Sequence, residues 1–169
     1  IPDHCLQRHV LKFLYYSLVS RNIYSILSIC DKNRHKQYCQ GYLAAEDGKT
    51  VRVRIIGDKG FLTIKGRTIG ETRLEFEYEI PLEDARELLR ELCRKPLIEK
   101  TRYKIPFKGF IWEVDEFAGE NRGLIFAEIE LKYEGEIFSQ PHWIGKEVTG
   151  DSRYYNANLV DNPFPKWQL

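Results

Sequence analysis

Charged and apolar side chains alternate without exception along residues 73–80. Arginine and glutamates occupy every second position, while leucine, phenylalanine, tyrosine and isoleucine fill the positions between them. Because successive side chains of a β-strand point to opposite faces, this segment predicts a strand with one charged face and one apolar face.

The same alternation recurs in five other segments, and each of these carries mostly one sign of charge. The basic positions are Arg52, Arg54, Lys65, Lys100 and Arg102. The acidic positions are Glu113, Asp115, Glu128 and Glu130. Strands that are sorted by sign in this way indicate a surface that binds an anion through cations and a metal ion through carboxylates.

Turn sequences that contain glycine separate these short segments, for example at 46–49 and 57–60. Short strands joined by tight turns predict an antiparallel meander or barrel. One helix is predicted after Pro81, because Glu83 and Asp84 suit its first turn and an apolar stripe follows at helical spacing. The stripe consists of Leu82, Ala85, Leu88, Leu89 and Leu92. We expect it to pack on the outer, apolar sheet face, at residues such as Val53, Ile55, Leu74 and Phe76.

The C-terminal region predicts one more, shorter helix. Asp151 suits its N-cap, and the sequence Asp-Asn-Pro at 161–163 ends it after about Leu159. Residues 163–167 are expected to form a tail.

Two interpretations of the charged faces stay open at this point. In the first, an open sheet turns its charges to water, where cross-strand ion pairs contribute roughly a few tenths of a kcal/mol each. In the second, the sheet closes into a barrel and the charges line its interior. Such an interior repels itself unless water, metal and anion fill it, so it implies a polyanion such as a triphosphate together with Mg²⁺ or Mn²⁺.

Bulk composition limits the class of protein. The chain has 169 residues, of which 26 are basic and 25 acidic, with a net charge of +1. One domain is therefore expected, without a global field that attracts nucleic acid or an anionic membrane. Four cysteines are too few for a disulfide framework in a chain of this size, which predicts a reducing compartment and hence the cytoplasm. Charged and polar residues interrupt the apolar stretch at 10–29, so no transmembrane helix is predicted.

Two parts of the chain differ in composition. Residues 1–37 hold three of the four histidines and only two acids, and they lack glycine. They are interpreted as an atypical N-terminal segment, and residues 38–169 as the single domain. The chain opens on Ile1 and contains no Met, so we expect a trimmed or partial sequence.

Six ordered motifs of the second part together resemble the CYTH domain of the triphosphate tunnel metalloenzymes. The resemblance covers about residues 38–160, and its details are closest to the bacterial tripolyphosphatase-like members. The motifs are 50–54, 62–66, 73–81, 99–103, 112–115 and 127–131.

The resemblance implies a mainly β fold, with a closed or nearly closed eight-stranded antiparallel barrel and helices packed on its outside. It also implies metal-dependent hydrolysis of inorganic triphosphate or a related triphosphate with Mg²⁺ or Mn²⁺ as cofactor. The implied phosphate-binding residues are Arg52, Arg54, Lys65, Arg73, Lys100 and Arg102. The implied metal ligands are Glu75, Glu77, Asp115, Glu128 and Glu130, of which Asp115 and Glu130 are the expected catalytic residues.

The first strand departs from the family pattern. Members begin with a Glu-x-Glu-x-Lys strand, whose glutamates contribute to metal binding. The nearest counterpart here aligns Lys12 with the lysine and puts Arg8 and Val10 where the glutamates belong. Three explanations compete: an inactive member, a first strand supplied differently, or a beginning that is not the native one. The change of composition near residue 37 favours the last, for example a frame error in the gene, which resequencing tests.

Three functions follow from these observations. The leading prediction is a hydrolase of inorganic triphosphate. The alternatives are a non-catalytic polyphosphate-binding module that has lost its first-strand metal ligands, and an adenylyl cyclase that forms cyclic AMP from ATP. The expected partner is a small-molecule triphosphate, without nucleic acid or membrane, and a homodimer is a further expectation.

Overall fold

The computed structural model describes residues 12–18, 35–69, 72–133 and 135–167; for 12–18, 68–69 and 72–73 it describes the backbone alone. Within these ranges the protein is mainly β, with few and short helices. The strands are β1 (Lys12–Leu18), β2 (His35–Glu46), β3 (Lys49–Ile56), β4 (Lys59–Ile69), β5 (Thr72–Ile80), β6 (Ile98–Phe107), β7 (Phe110–Phe117), β8 (Ile125–Leu131) and β9 (Ile144–Glu147).

All strands belong to one antiparallel sheet in the order β5-β4-β3-β2-β6-β7-β8-β1-β9. Seven strands, from β2 to β8, form its continuous part, and β1 and the short β9 extend it beyond β8. No pairing between the described residues joins β5 to β9, so the sheet is open along these two edges. The predicted antiparallel meander is therefore confirmed, whereas the predicted count of eight strands is wrong and closure is not observed.

Strand register explains how the sorted charges meet on one face. Arg52 lies opposite Thr63 on β4, and Thr63 lies opposite Glu77 on β5. On the other half of the sheet, Arg102 lies opposite Asp115, and the neighbouring pair on β7 and β8 is Glu113 and Glu128. Because directly opposed residues in an antiparallel pair share a face, each basic strand presents its cations to the acids of a nearby strand.

The predicted helix is present as α1 (Leu82–Glu87), which continues as a π-helical turn (Leu88–Leu92). It covers the apolar face of β2–β4, where Val53, Ala85 and Leu89 are buried together. The close approach requires Gly60, since a Cβ there would lie 2.7 Å from the Cβ of Ala85.

Two details of the predicted packing are wrong. Leu92 is 64% exposed and Leu74 is 54% exposed, so the stripe ends before Leu92 and the helix leaves part of β5 uncovered. The reason is length: α1 and its π-helical turn reach across β2, β3 and β4, and the apolar cluster beneath them includes Ile80 but not Leu74.

The C-terminal region covers one end of the charged face. Asp151 caps a 3₁₀ turn (Ser152–Tyr154), and the helix α2 (Asn158–Asp161) follows later than predicted. A second 3₁₀ turn (Phe164–Lys166) leads to the buried Trp167, so the predicted tail is in fact packed. Together these elements form an apolar cluster, here called the C-terminal cluster, with side chains from β2, β6, β7 and β8. Its buried members are Tyr42, Ile98, Phe117, Leu124, Phe126, Leu159, Val160 and Trp167.

A third apolar cluster lies on the outer face of β7 and β8. Trp112 and Trp143 are buried in it and meet edge to face at 5.8 Å. Both tryptophans thus serve packing. Among the described residues, no helix is both long and apolar enough to span a membrane.

Candidate active site

The charged residues of the sheet form two clusters on the same face. The first, here called the Glu77 cluster, joins β3, β4 and β5 around Glu77. The second, the Asp115 cluster, joins β6, β7 and β8 around Asp115. Between them runs β2, which carries Tyr38 and Gln40 on this face.

One carboxylate oxygen organises the Glu77 cluster. Oε2 of Glu77 accepts hydrogen bonds from Nη2 of Arg54 at 2.7 Å and from Oγ1 of Thr63 at 2.8 Å. Nη2 of Arg52 lies 3.7 Å from the same oxygen and donates to Thr63 at 3.3 Å. The Nε atoms of Arg52 and Arg54 are buried and meet no acceptor in the described part of the chain. Two guanidinium groups thus keep donors free for a further anion.

Two more ion pairs continue along β5. Lys65 lies 2.9 Å from Glu75 in a partly buried pair, and Lys59 lies 2.9 Å from Glu79 in an exposed pair. The predicted charged face of this strand is therefore confirmed for Glu75, Glu77 and Glu79. The backbone of Arg73 lies opposite Thr68, and its predicted phosphate contact stays a prediction.

The Asp115 cluster is the more deeply buried of the two. Asp115 is fully buried and accepts hydrogen bonds from Nζ of Lys100 at 2.5 Å and from Nε and Nη2 of Arg102, both at 2.6 Å. Burial alone would raise the pKa of Asp115, but the two cations outweigh it and the pKa lies below its usual value. Asp115 is thus an ionised carboxylate whose oxygens already hold two cations.

Arg102 also connects Asp115 to the acids of β7 and β8. Its guanidinium pairs with Glu113 and lies 2.8 Å from Glu128, while Lys104 pairs with Glu113 from the exposed side at 3.0 Å. One arginine therefore contacts three carboxyl groups, which fixes the arrangement of the cluster.

Glu113 and Glu128 lie directly opposite each other on β7 and β8. Burial raises the pKa of Glu128 to about 7, and Arg102 offsets only part of that effect, while Asp115 and Glu113 add to it. The pKa of Glu113 is lowered, since Arg102 and Lys104 outweigh its own burial. Glu128 therefore releases its proton near neutral pH, whereas Glu113 is ionised at lower pH.

A cavity of about 470 Å³ opens next to this pair, at the end of the sheet away from the C-terminal cluster. Glu113, Glu128 and Glu130 line it together with Lys104 and Lys132. Glu130 is exposed, in contrast to the buried Asp115. The two predicted catalytic residues thus lie in different environments, and Glu130 is the one in contact with solvent.

Sequence reasoning missed several residues of this face. Tyr38 sits between the clusters, with Arg54 at 5.8 Å and Arg102 at 5.5 Å from its ring centroid. Thr63 and Gln40 are buried among the charges, and Glu113 was recognised as an acidic position but not assigned a role. Thr63 lies two residues before Lys65 on the same strand, so strand alternation could have placed it on the charged face. In contrast, β2 carries no pattern of charges that would identify Tyr38.

The register of β1 bears on the missing first-strand motif. Phe13 lies opposite Glu130, Tyr15 opposite Glu128, and Lys12 opposite Leu131. The alignment of Lys12 with the motif lysine stays a prediction. Arg8 and Val10 lie outside the described residues.

Carboxylates of the described residues do not form a ready-made metal cage. Within that part of the chain, no group of three or more histidine, cysteine or acidic side chains is arranged to hold an ion. Mg²⁺, however, is commonly held by one or two carboxylates while substrate phosphates and water complete its shell. The opposed positions of Glu113 and Glu128 meet that requirement, since they offer two neighbouring carboxyl groups.

Comparisons with known proteins agree with this geometry. The CYTH domain family matches residues 18–160. The chain is 58% identical to an inorganic triphosphatase of Acetivibrio thermocellus over 131 residues, which are 78% of this chain and 84% of the relative. It is 38% identical to an inorganic triphosphatase of Nitrosomonas europaea over 126 residues, or 72% and 82% of the two chains. The crystal structure of an inorganic triphosphatase aligns with a TM-score of 0.65 and 28% identity, covering 89% of this chain and 93% of that one.

Proposed function

We propose that this chain, which belongs to the CYTH domain family, hydrolyses inorganic triphosphate on the charged face of its sheet. The observation that carries the proposal is the pair of buried arginines in the Glu77 cluster. Arg52 and Arg54 keep Nε donors without an acceptor among the described residues. Buried donors of this kind are costly unless a ligand accepts from them, and phosphate oxygens are suitable acceptors.

The cations of both clusters are the proposed phosphate-binding groups. Triphosphate carries many oxygens and a high negative charge, so it needs several cations at different positions. Among the described side chains, the five predicted cations that share the charged face are Arg52, Arg54, Lys65, Lys100 and Arg102. Arg73 completes the proposed set of phosphate-binding residues.

The acids of β7 and β8 are the proposed cofactor site. Glu113 and Glu128 offer hard oxygen ligands beside the cations, and Glu130 lies next to them at the cavity. A bound Mg²⁺ or Mn²⁺ would neutralise charge on the phosphates and would make the phosphorus more open to attack by water. Glu75 and Glu77 pair with Lys65 and Arg54, and their role as metal ligands stays a prediction from the resemblance.

The remaining residues are assigned roles by their surroundings. Asp115 orients Lys100 and Arg102, because both of its oxygens are engaged by them. Glu130 is the proposed general base, since an exposed carboxylate at the cavity can take a proton from an attacking water. Tyr38 holds Arg54 and Arg102 on either side of the gap between the clusters.

Phosphate release tests the proposed function directly. The protein is incubated with inorganic triphosphate and either Mg²⁺ or Mn²⁺, and release of orthophosphate is the expected result. Pyrophosphate, a longer polyphosphate and ATP serve as competing substrates, and cyclic AMP is measured in the ATP sample to test the cyclase alternative. No phosphate release with either metal would contradict the proposal.

A second candidate function rests on the register of β1. The positions opposite Glu128 and Glu130 are Tyr15 and Phe13, so this strand brings no carboxylate next to them. A polyphosphate-binding module without turnover would have such a site. Calorimetry that finds tight triphosphate binding, in a sample that releases no phosphate, would favour this second function.

The proposal also covers the cellular location and the oligomeric state of the protein. We place the protein in the cytoplasm, because the thiols of Cys39 and Cys93 are free and free thiols are typical of a reducing compartment. A homodimer stays a prediction from the sequence. Sedimentation of the purified protein tests the assembly, and fractionation of the producing cell tests the location.

A further inference from the structure

We infer that Glu77 is an internal counter-anion, which occupies an anion position of the substrate-free protein and is displaced by a phosphate group of the ligand. The inference rests on the proposed function in so far as the ligand is a phosphate compound. It assigns to Glu77 the control of anion affinity, a role different from metal binding.

The geometry around Glu77 is that of a bound anion. Two donors, from Arg54 and Thr63, converge on the single oxygen Oε2 at 2.7 and 2.8 Å, and Arg52 approaches the same atom to 3.7 Å. A phosphate oxygen in the same place would receive the same three groups. Glu77 thus occupies, within its own chain, the position that an external anion would take.

Glu77 and an external anion compete for the same arginines, and the partial burial of these groups strengthens the competition. The side chains of Arg52, Arg54 and Glu77 are 13%, 17% and 23% exposed, so the charges interact with limited screening. Without Glu77, two adjacent guanidinium groups would repel each other and attract any small anion. With Glu77 in place, a ligand binds only when its charge outcompetes a carboxylate that is already held at short distance.

This arrangement discriminates between anions by charge. Triphosphate contacts several cations at once and can outcompete Glu77, whereas orthophosphate and pyrophosphate gain less from displacing it. Return of Glu77 to Arg52 and Arg54 would also help the shorter products to leave. Glu77 is therefore expected to set the ratio of substrate affinity to product affinity.

Glu79 provides a matched control on the same strand and face. It lies two residues further on, 57% exposed, and the structure pairs it with the exposed Lys59. Replacing Glu79 by glutamine removes the same charge from the same face at a distance from the arginines. A general change of surface charge would affect both variants equally, but loss of a counter-anion affects only the Glu77 variant.

The test measures binding of sodium pyrophosphate to the full chain by calorimetry, with EDTA present so that metal sites play no part. E77Q is expected to bind pyrophosphate at least about tenfold more tightly than wild type, because a competing charge has been removed. E79Q is expected to stay within about twofold of wild type. Unchanged or weaker pyrophosphate binding by a folded E77Q would overturn the inference, since it would show that Glu77 only holds the arginines in place.

A second variant keeps the test informative if E77Q fails to fold. E77D keeps the charge but shortens the side chain, which withdraws the carboxylate from Arg54 and Thr63, and it is expected to tighten pyrophosphate binding in the same direction by a smaller factor. Weaker binding by a folded E77D would count against the counter-anion. Because these measurements need no turnover, failure of wild type to hydrolyse triphosphate contradicts the proposed function alone, and the binding result judges Glu77 separately.

Discussion

Glu113 and Glu128 lie directly opposite each other on β7 and β8, yet their pKa values shift in opposite directions. Burial keeps the pKa of Glu128 near 7, while Arg102 and Lys104 keep Glu113 ionised. The native protein therefore binds a proton at Glu128 that the unfolded chain releases at lower pH. This difference links the stability of the fold to pH.

The first prediction is that metal-free wild type loses stability as the pH rises from 5 to 8. A carboxyl group whose pKa is raised by folding stabilises the native state below its ordinary pKa, and this contribution disappears as the pH rises through about 7. Asp115 titrates in the opposite sense, but its lowered pKa keeps it ionised over this range. Urea unfolding in EDTA at several pH values measures the effect.

E128Q is the matched variant for this experiment, because glutamine does not titrate. We expect the stability of E128Q to vary less between pH 5 and 8 than that of wild type. E130Q is the control, since its carboxyl group is exposed, and it should retain the wild-type slope. An identical slope in E128Q and wild type would show that Glu128 does not carry the proton.

The second prediction concerns Arg102. R102M removes the cation that contacts Asp115, Glu113 and Glu128, and it should lower the free energy of unfolding by about 3–5 kcal/mol. K104M removes an exposed cation from the same strand and should cost about 0–1 kcal/mol. Urea unfolding of both variants measures the difference, and equal losses would argue against a structural role that is particular to Arg102.

The third prediction concerns the divalent cation. EDTA should stop triphosphate hydrolysis, and added Mg²⁺ or Mn²⁺ should restore it. E113Q and E128Q should each raise the metal concentration for half-maximal activity at least about tenfold, because each removes one of the two proposed carboxylate ligands. E120Q alters an exposed carboxylate outside the cavity and should leave that concentration unchanged.

The fourth prediction compares two leucines of the helical segment after β5. Leu89 is 3% exposed and packs on the sheet, whereas Leu92 is 64% exposed. L89A should therefore lower the free energy of unfolding by about 2–5 kcal/mol, and L92A should change it by less than about 0.5 kcal/mol. Thermal or urea unfolding of the two variants tests whether the helix packs through the face that the structure shows.

Strand alternation predicted most of the fold because it is a local property. The period of two in 73–80 and its counterparts fixed which side chains share a face, and the pairs Lys65–Glu75 and Arg102–Asp115 follow from that alternation. The extent of α1 coverage could not be predicted in the same way. Leu74 and Leu92 satisfy the apolar pattern, but their burial depends on which strands the helix reaches.

The site was harder to predict than the fold, since chemical role depends on neighbours distant in sequence. Asp115 and Glu130 are both acidic residues of strands with alternating charged and apolar positions. Asp115 is nevertheless buried between two cations, whereas Glu130 faces solvent. Tyr38 and Thr63 lie among the charged residues because of strand register alone, and no distinctive local sequence marks them. Closure of the sheet also lay beyond the pattern, because it depends on whether two distant edge strands meet.

The C-terminal cluster limits the length of polyphosphate that the proposed site can hold. Along β6, β7 and β8 the charged positions give way to Ile98, Phe117 and Phe126, which α2 and Trp167 bury. Apolar side chains offer no hydrogen-bond donor to a phosphate oxygen, so a linear polyphosphate bound on this face as proposed would end at this cluster. Additional phosphate units would then extend toward the cavity at Glu130, and the C-terminal cluster would be the fixed end from which the length of the substrate is measured.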